Sequence, residues 1–166
     1  AWTNILGREL DVPVLNFGFS GNGRLEENII AYLAQLPAKA YFFDCLANFT
    51  GEQGLNAAAA YKRTIESVQA IRKAHPQTPI VLVDHAGYPD GAINLSRKHL
   101  YEELNASNLK AFDQLKSKGV TNLYLLPYKD LGLTAADFVD GVHPTDGGMQ
   151  KYACAYSNIL SEIEDE

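Results

Sequence analysis

The segment Pro79-Ile80-Val81-Leu82-Val83 decides the fold, because its apolar residues run without a break instead of alternating with polar ones. Such a run is typical of a strand that is covered on both faces, as in a parallel sheet. Helical apolar spacing precedes it over Ala57–His75 and follows it over Arg97–Lys118, and Pro76 and Gly119 are helix-stop signals. A buried strand between two helices is the unit of an α/β protein.

The same alternation continues outward from this central unit. Apolar runs predict three more strands, and helical spacing predicts three more helices. The strands are Val14–Phe17, Ala40–Leu46 and Asn122–Pro127, and the helices are Trp2–Leu10, Leu25–Leu36 and Met149–Ile163. We therefore predict one α/β domain over residues 1–166, a flavodoxin-like three-layer α/β/α fold whose parallel sheet lies between helices.

Composition and charge narrow the class of protein. The chain has 166 residues, 46% of them hydrophobic, and a formal net charge of -6 with no basic cluster, which argues against a nucleic-acid partner. No apolar run approaches the length of a membrane span. Cys45 and Cys154 have the spacing of neither a disulfide framework nor a zinc site, and no metal or cofactor is predicted. Localisation is left open, because an exported protein whose leader had been removed would have the same sequence.

Candidate functional residues lie in the loops after the predicted strands, where ligands of parallel α/β sheets bind. In Asp140-Gly141-Val142-His143-Pro144, the aspartate can accept the Nδ1 proton of the histidine three residues later, which leaves Nε2 free to act as a base. The alternative is that Asp140 caps a turn and His143 is an ordinary surface residue. Asp84 and His85 form a second pair, but adjacent side chains point apart, which favours a capping or substrate-contact role.

Two amide groups in these loops have the chemistry of an oxyanion hole. Gly21, in Gly18-Phe19-Ser20-Gly21-Asn22-Gly23, can present a backbone N–H with no Cβ in the way, although a plain tight turn uses glycine equally well. Asn48 can offer a neutral NH2 group, or it can satisfy the backbone of its own loop. A nucleotide loop is disfavoured, because the glycine spacing is the reverse of the dinucleotide fingerprint.

Taken together, these loops resemble the SGNH hydrolase superfamily, also called GDSL-type esterases and lipases, and its bacterial GDSL-like acylhydrolase subgroup. Asn16–Asn22 is similar to the second sequence block of that family, Asp44–Asn48 to the third, and Asp140–Pro144 to the fifth, which reads Asp-x-x-His-Pro. The resemblance implies that His143 is the general base, Asp140 its orienting acid, and Gly21 and Asn48 the oxyanion donors. The usual Gly-x-Asn-Asp wording of the third block is absent around Asn48.

The first family block, a strand that ends in the nucleophilic serine, has no counterpart in this sequence. The resemblance implies that the domain is truncated at its N-terminus and that the serine lies upstream of residue 1. In the family fold the missing strand lies between the strands that end near Phe17 and Leu46, so we expect this chain to fold poorly by itself. Ser20 is a weak alternative nucleophile, because Asn22 stands where a Gly-x-Ser-x-Gly motif requires glycine.

The resemblance predicts a serine ester hydrolase that acts on a small acyl ester, with a carbohydrate ester as one candidate substrate. The alternative is a non-catalytic module of the same shape, either a pseudoenzyme or a carbohydrate-binding domain. A third hypothesis, a flavodoxin-like nucleotide or phosphate binder, predicts a ligand at the Gly21 turn and His143 far from it.

Overall fold

A computed structural model of the protein describes residues 1–165, so Glu166 of the predicted domain lies outside the described residues. Helices and strands alternate along most of the chain. In order, they are α1 Trp2–Leu10, α2 Glu27–Leu33, β1 Tyr41–Phe43, α3 Ala57–Ala74, β2 Ile80–Val83, α4 Leu95–Ser117, β3 Leu123–Leu126 and α5 Asp146–Asp165. Short 3-10 helices cover Leu46–Asn48, Glu52–Gly54, Tyr128–Leu131 and Ala135–Asp137. Within residues 1–165 no helix is both long and apolar enough to cross a membrane.

The sheet has the order β1-β2-β3, and both pairs of strands are parallel. Tyr41 pairs with Ile80, and Ile80 pairs in turn with Leu123, so the three strands start in register. Because the strands are parallel, their carboxyl ends lie at one edge of the sheet. The loops after β1, β2 and β3 therefore leave the sheet on the same side.

Successive side chains of β2 point into two different cores. Ile80 and Leu82 pack with residues of α2, α3 and α4, whereas Val81 and Val83 pack with residues of α1 and α5. All four side chains are fully buried, which is why the sequence of β2 is uniformly apolar. The predicted three-layer α/β/α fold with a parallel sheet is confirmed.

The predicted strand Val14–Phe17 is wrong. The segment has no regular secondary structure and lies outside the sheet, and Leu15 is 69% exposed. A strand needs a neighbouring backbone to complete its hydrogen bonds. Here a groove separates the segment from β1, so the described part of the chain offers it no partner.

The predicted helix over Leu25–Leu36 is shorter in the structure, where α2 begins at Glu27. Leu25 has a φ of 55°, a left-handed conformation that a helix cannot continue through. Its side chain is nevertheless buried in the core between the sheet and α3, so the periodic apolar pattern reported burial correctly and helix extent incorrectly.

Candidate active site

Asp140 and His143 contact each other directly in the loop that precedes α5. The Nδ1 atom of His143 lies 2.7 Å from Oδ2 of Asp140. The other carboxylate oxygen, Oδ1, accepts the backbone N–H groups of Val142 at 3.0 Å and His143 at 2.8 Å. Asp140 therefore closes the turn and orients the imidazole at the same time, so the two alternatives drawn from the sequence are not exclusive.

The same contacts keep Asp140 ionised. The backbone N–H of His143, the imidazole of His143 and the backbone N–H of Val142 lower the pKa of the carboxyl from 3.8 to about 2. Both side chains are open to solvent, with 75% of His143 and 54% of Asp140 exposed. The imidazole ring is thus fixed by this carboxylate and by the loop backbone more than by burial.

The base of this loop is fixed to α5. Val139 N–H donates to the carbonyl of His143, and Thr145 N–H donates to the carbonyl of Asp137. The Asp137 carboxylate accepts bonds from Thr134 and from Nζ of Lys151, a residue of α5, at 2.8 Å. These bonds lower the pKa of Asp137 to about 2. The ends of the loop are therefore held together next to the first turns of α5.

Gly21 lies at the tip of a tight turn that follows Val14–Phe17. Asn22 N–H bonds to the carbonyl of Phe19, and Gly23 N–H bonds to that of Gly18 at 2.9 Å. Gly21 has a φ of 87°, and a Cβ there would meet no atom within 4 Å, so its conformation and not crowding favours glycine. Among the described residues no group accepts the Gly21 N–H. It is available to a ligand.

Asn48 ends the 3-10 helix that follows β1. Its Nδ2 donates to the carbonyl of Gly23 at 2.8 Å, which links the loop after β1 to the Gly21 turn. That bond uses one of the two N–H groups of the amide and leaves the second available as a donor. The asparagine thus has a structural contact and a free donor together.

One groove brings these residues together. It has a volume of about 1630 Å³ and lies between Val14–Phe17 and β1. The predicted site residues His143, Gly21 and Asn48 line it, and so does Ser20. Ser20 is exposed with a φ of 45°, and no hydrogen bond joins it to His143 in the described part of the chain. Asp140 does not line the groove itself, but it contacts His143, which does.

Asp84 and His85 lie in a different part of the molecule and are both buried. Asp84 accepts bonds from Nδ2 of Asn108 at 3.0 Å and from the backbone of Tyr128. The Nδ1 of His85 accepts the Gly87 N–H at 2.9 Å, and burial lowers the pKa of this histidine to about 4, so it is neutral. Neither residue lines the groove, and their contacts are those of packing and loop closure.

The structure adds two residues that sequence reasoning missed. The Asp44 carboxylate lines the groove and accepts the hydroxyl of Tyr156 at 2.8 Å and the indole of Trp2, and burial raises its pKa. A charged residue that directly follows a buried strand was an available signal for it. Arg97, in the first turn of α4, donates to the carbonyl of Gly141, a contact across 44 positions for which the sequence carries no signal.

Metal-ligating side chains do not cluster in the described region, where no group of three or more His, Cys, Asp or Glu has the arrangement of a cation site. Cys45 is a free thiol whose pKa is raised to about 12 by burial, and Cys154 is free and exposed.

The fold is shared with several solved structures. A protein assigned as a GDSL-like lipase from Bacteroides ovatus ATCC 8483 superimposes with a TM-score of 0.89 at 28% identity, over 99% of this chain and 48% of that one. The salicylyl-acyltransferase SsfX3 of a tetracycline biosynthetic pathway gives 0.83 at 18% identity, over 99% and 49%. A carbohydrate esterase family 3 protein from Talaromyces cellulolyticus gives 0.75 at 14% identity, over 100% and 92%.

The chain belongs to the GDSL-like lipase/acylhydrolase family, whose sequence model matches residues 1–161. This confirms the resemblance to the SGNH hydrolase superfamily. The chain spans about half the length of the first two of these solved structures. A comparison with curated protein sequences finds no match.

Proposed function

We propose that this chain supplies the acid, the base and the oxyanion donors of a serine ester hydrolase. The observation that carries the proposal is the 2.7 Å contact between Asp140 and His143 in a loop that opens on the same groove as Gly21 and Asn48. An imidazole held by a carboxylate is the general base of nucleophilic ester hydrolysis. Family membership supports the same reaction class.

Each residue has a defined role in the proposed reaction. A serine hydroxyl attacks the acyl carbonyl while Nε2 of His143 removes its proton, and the imidazolium gives that proton to the leaving alcohol. Water, deprotonated by the same imidazole, then attacks the acyl-serine, and the proton returns to the serine oxygen as the carboxylic acid leaves. Asp140, ionised because its pKa is about 2, keeps the proton of the neutral imidazole on Nδ1. The Gly21 N–H and the free N–H of Asn48 stabilise the oxyanion, and neither adds negative charge beside it.

We further propose that the nucleophilic serine comes from a segment that precedes Ala1 and enters the groove as a strand beside β1. The groove supports this placement, because β1 pairs only with β2 among the described strands, which leaves its outer backbone edge open. Apolar residues line both walls of the groove, including Val14 and Phe17 on one side and Phe42 on the other. A strand there would complete the hydrogen bonds of β1 and bury these side chains.

The substrate that we propose is an ester of a small acyl group. Carbohydrate esters are included among the substrates to be assayed. The reason is that the Talaromyces protein is named as a carbohydrate esterase and shares this fold over most of its length.

The test uses the extended protein, by which we mean this chain together with the coding segment that precedes Ala1. Its hydrolysis of p-nitrophenyl acetate and of acetylated xylo-oligosaccharides is compared with that of the His143→Ala variant. We expect a loss of about a thousandfold or more in kcat for His143→Ala. The thermal midpoint should hardly change, because 75% of the imidazole is exposed.

Two results would reject the proposal. Turnover that survives His143→Ala would remove the imidazole from the reaction. Binding of the oligosaccharide by the extended protein without any turnover would support the non-catalytic module instead.

A further inference from the structure

The tip of the loop that carries His143 is exposed to solvent. The Asp140 and His143 side chains do not pack against a core that would hold it in place. More than half of each of the Asp140 and His143 side chains is exposed, and Gly141, between them, has a φ of 80°. The ends of the loop are held against α5 through Asp137 and Lys151, and none of these bonds involves Gly141. The position of the Asp140–His143 pair therefore depends in part on what holds the Gly141 peptide between them.

Arg97 of α4 makes that contact. Its Nη2 donates to the carbonyl oxygen of Gly141 at 2.8 Å. The left-handed conformation of Gly141 sets the direction of that carbonyl, and a Cβ at Gly141 would lie 3.8 Å from Nη1 of Arg97. The guanidinium thus joins the loop after β3 to the start of the helix that follows β2.

Other contacts hold the Arg97 guanidinium in place independently of its bond to the loop. Its Nη1 donates to Oδ2 of Asp90 at 2.9 Å, and its Cζ lies 4.0 Å from the centre of the Tyr88 ring. The side chains of Arg97 and Asp90 are only 29% and 32% exposed. Asn94 accepts the Arg97 backbone N–H and so caps α4 at this point. Because the guanidinium stacks on the Tyr88 ring and bonds to two acceptors, its position is well defined.

We propose that Arg97 is a positioning residue for the His143 base, which it fixes by holding the Gly141 carbonyl against α4. The inference rests on the proposed function, because it assigns Arg97 to the same reaction. Arg97 touches neither the imidazole nor the groove, so it acts through the loop backbone alone. An imidazole displaced by about 1 Å from its reacting partner can lower turnover by about a hundredfold.

The test compares three variants of the extended protein. Arg97→Met removes the fork, and Arg97→Lys keeps the charge but reaches one acceptor at a time. Lys98→Met is the matched control, because it removes the same charge from the neighbouring residue of α4, whose partner is Glu102 on the surface. For each variant we measure kcat and KM for p-nitrophenyl acetate and amide hydrogen exchange of residues 138–145.

For Arg97→Met we expect kcat to fall by about ten- to a hundredfold with KM within about twofold, because the groove stays intact while the base is misplaced. Exchange of the Val142 and His143 amides, which bond to Asp140, should become faster by about tenfold or more. Arg97→Lys should recover part of both losses, and Lys98→Met should match the wild type.

The proposal is overturned if Arg97→Met and Lys98→Met agree in both kcat and loop exchange. Should Arg97→Met fail to fold, Arg97→Lys decides, because unchanged exchange in that variant also overturns the proposal. A wild-type protein without turnover would reject the ester-hydrolase function, and the exchange measurement would still decide whether Arg97 fixes the loop.

Discussion

Replacing Asp140 with asparagine isolates the orienting role of the carboxylate. The change keeps an oxygen that can still accept the backbone N–H groups of Val142 and His143, which Oδ1 now binds at 3.0 and 2.8 Å. It places an NH2 group where Oδ2 faces Nδ1 of His143 at 2.7 Å. Two donors cannot face each other, so the imidazole must accept at Nδ1 and carry its proton on Nε2.

An imidazole that is protonated at Nε2 cannot take the proton of the nucleophile. We expect kcat of the extended protein to fall by about a thousand- to ten-thousandfold, with a smaller change in KM. The assay is steady-state hydrolysis of p-nitrophenyl acetate, with imidazole ¹⁵N shifts to report which nitrogen carries the proton. The matched control is Asp137→Asn, because Asp137 has an equally depressed pKa but bonds to Lys151 and Thr134. The control should lower the thermal midpoint while costing less than about tenfold in kcat.

The pH dependence of stability provides a second readout of the same change. Because the folded-state pKa of Asp140 lies below its ordinary value of 3.8, the carboxylate stabilises the fold above that pH and loses this effect as the pH falls toward about 2. The difference in thermal midpoint between wild type and Asp140→Asn should therefore be constant at neutral pH and shrink in acid. If kcat of Asp140→Asn stays within tenfold of wild type, or if Asp137→Asn loses as much kcat, the orienting role of the Asp140 carboxylate is refuted.

Further predictions concern the oxyanion donor and the thiols. Asn48→Ala should lower kcat of the extended protein by about a hundred- to a thousandfold, and Asn48→Asp should lower it further, because a carboxylate repels the oxyanion. Equal activity of the two variants in steady-state assays would argue against an electrostatic role. At neutral pH, 5,5′-dithiobis(2-nitrobenzoate) should react with the exposed Cys154 and leave Cys45 unmodified, because burial raises the pKa of Cys45 to about 12. Mass spectrometry after the reaction checks this, and rapid labelling of Cys45 in the folded protein would contradict it.

The groove beside β1 concerns the completion of the sheet as well as the chemistry of the site. It lies between Val14–Phe17 and β1, and the described chain places no backbone in it. Asp44 lies at the carboxyl end of β1, where Tyr156 and Trp2 hold its carboxylate. A strand that entered the groove would pass beside this carboxylate, so the same segment is proposed to complete the sheet and to deliver the nucleophile.

Features that depend on neighbouring residues were predictable from the sequence. The uniformly apolar Ile80–Val83 strand indicated burial on both faces, and the periodic pattern of α3 gave its extent to within one residue. The Asp140 to His143 contact was predicted because three positions in a turn bring two side chains within reach whatever surrounds them. These interactions are short in sequence, so the local pattern is sufficient to specify them.

Only the tertiary structure decided the features that depend on distant residues. The apolar run Val14–Phe17 has the composition of a strand, but strand formation requires a partner backbone, and the described chain provides none beside it. The bond from Arg97 to Gly141 spans 44 positions, and the bond from Tyr156 to Asp44 spans 112. The physical reason is that periodicity and turn chemistry fix which face of an element is buried, whereas packing of the whole domain fixes which distant groups that face meets.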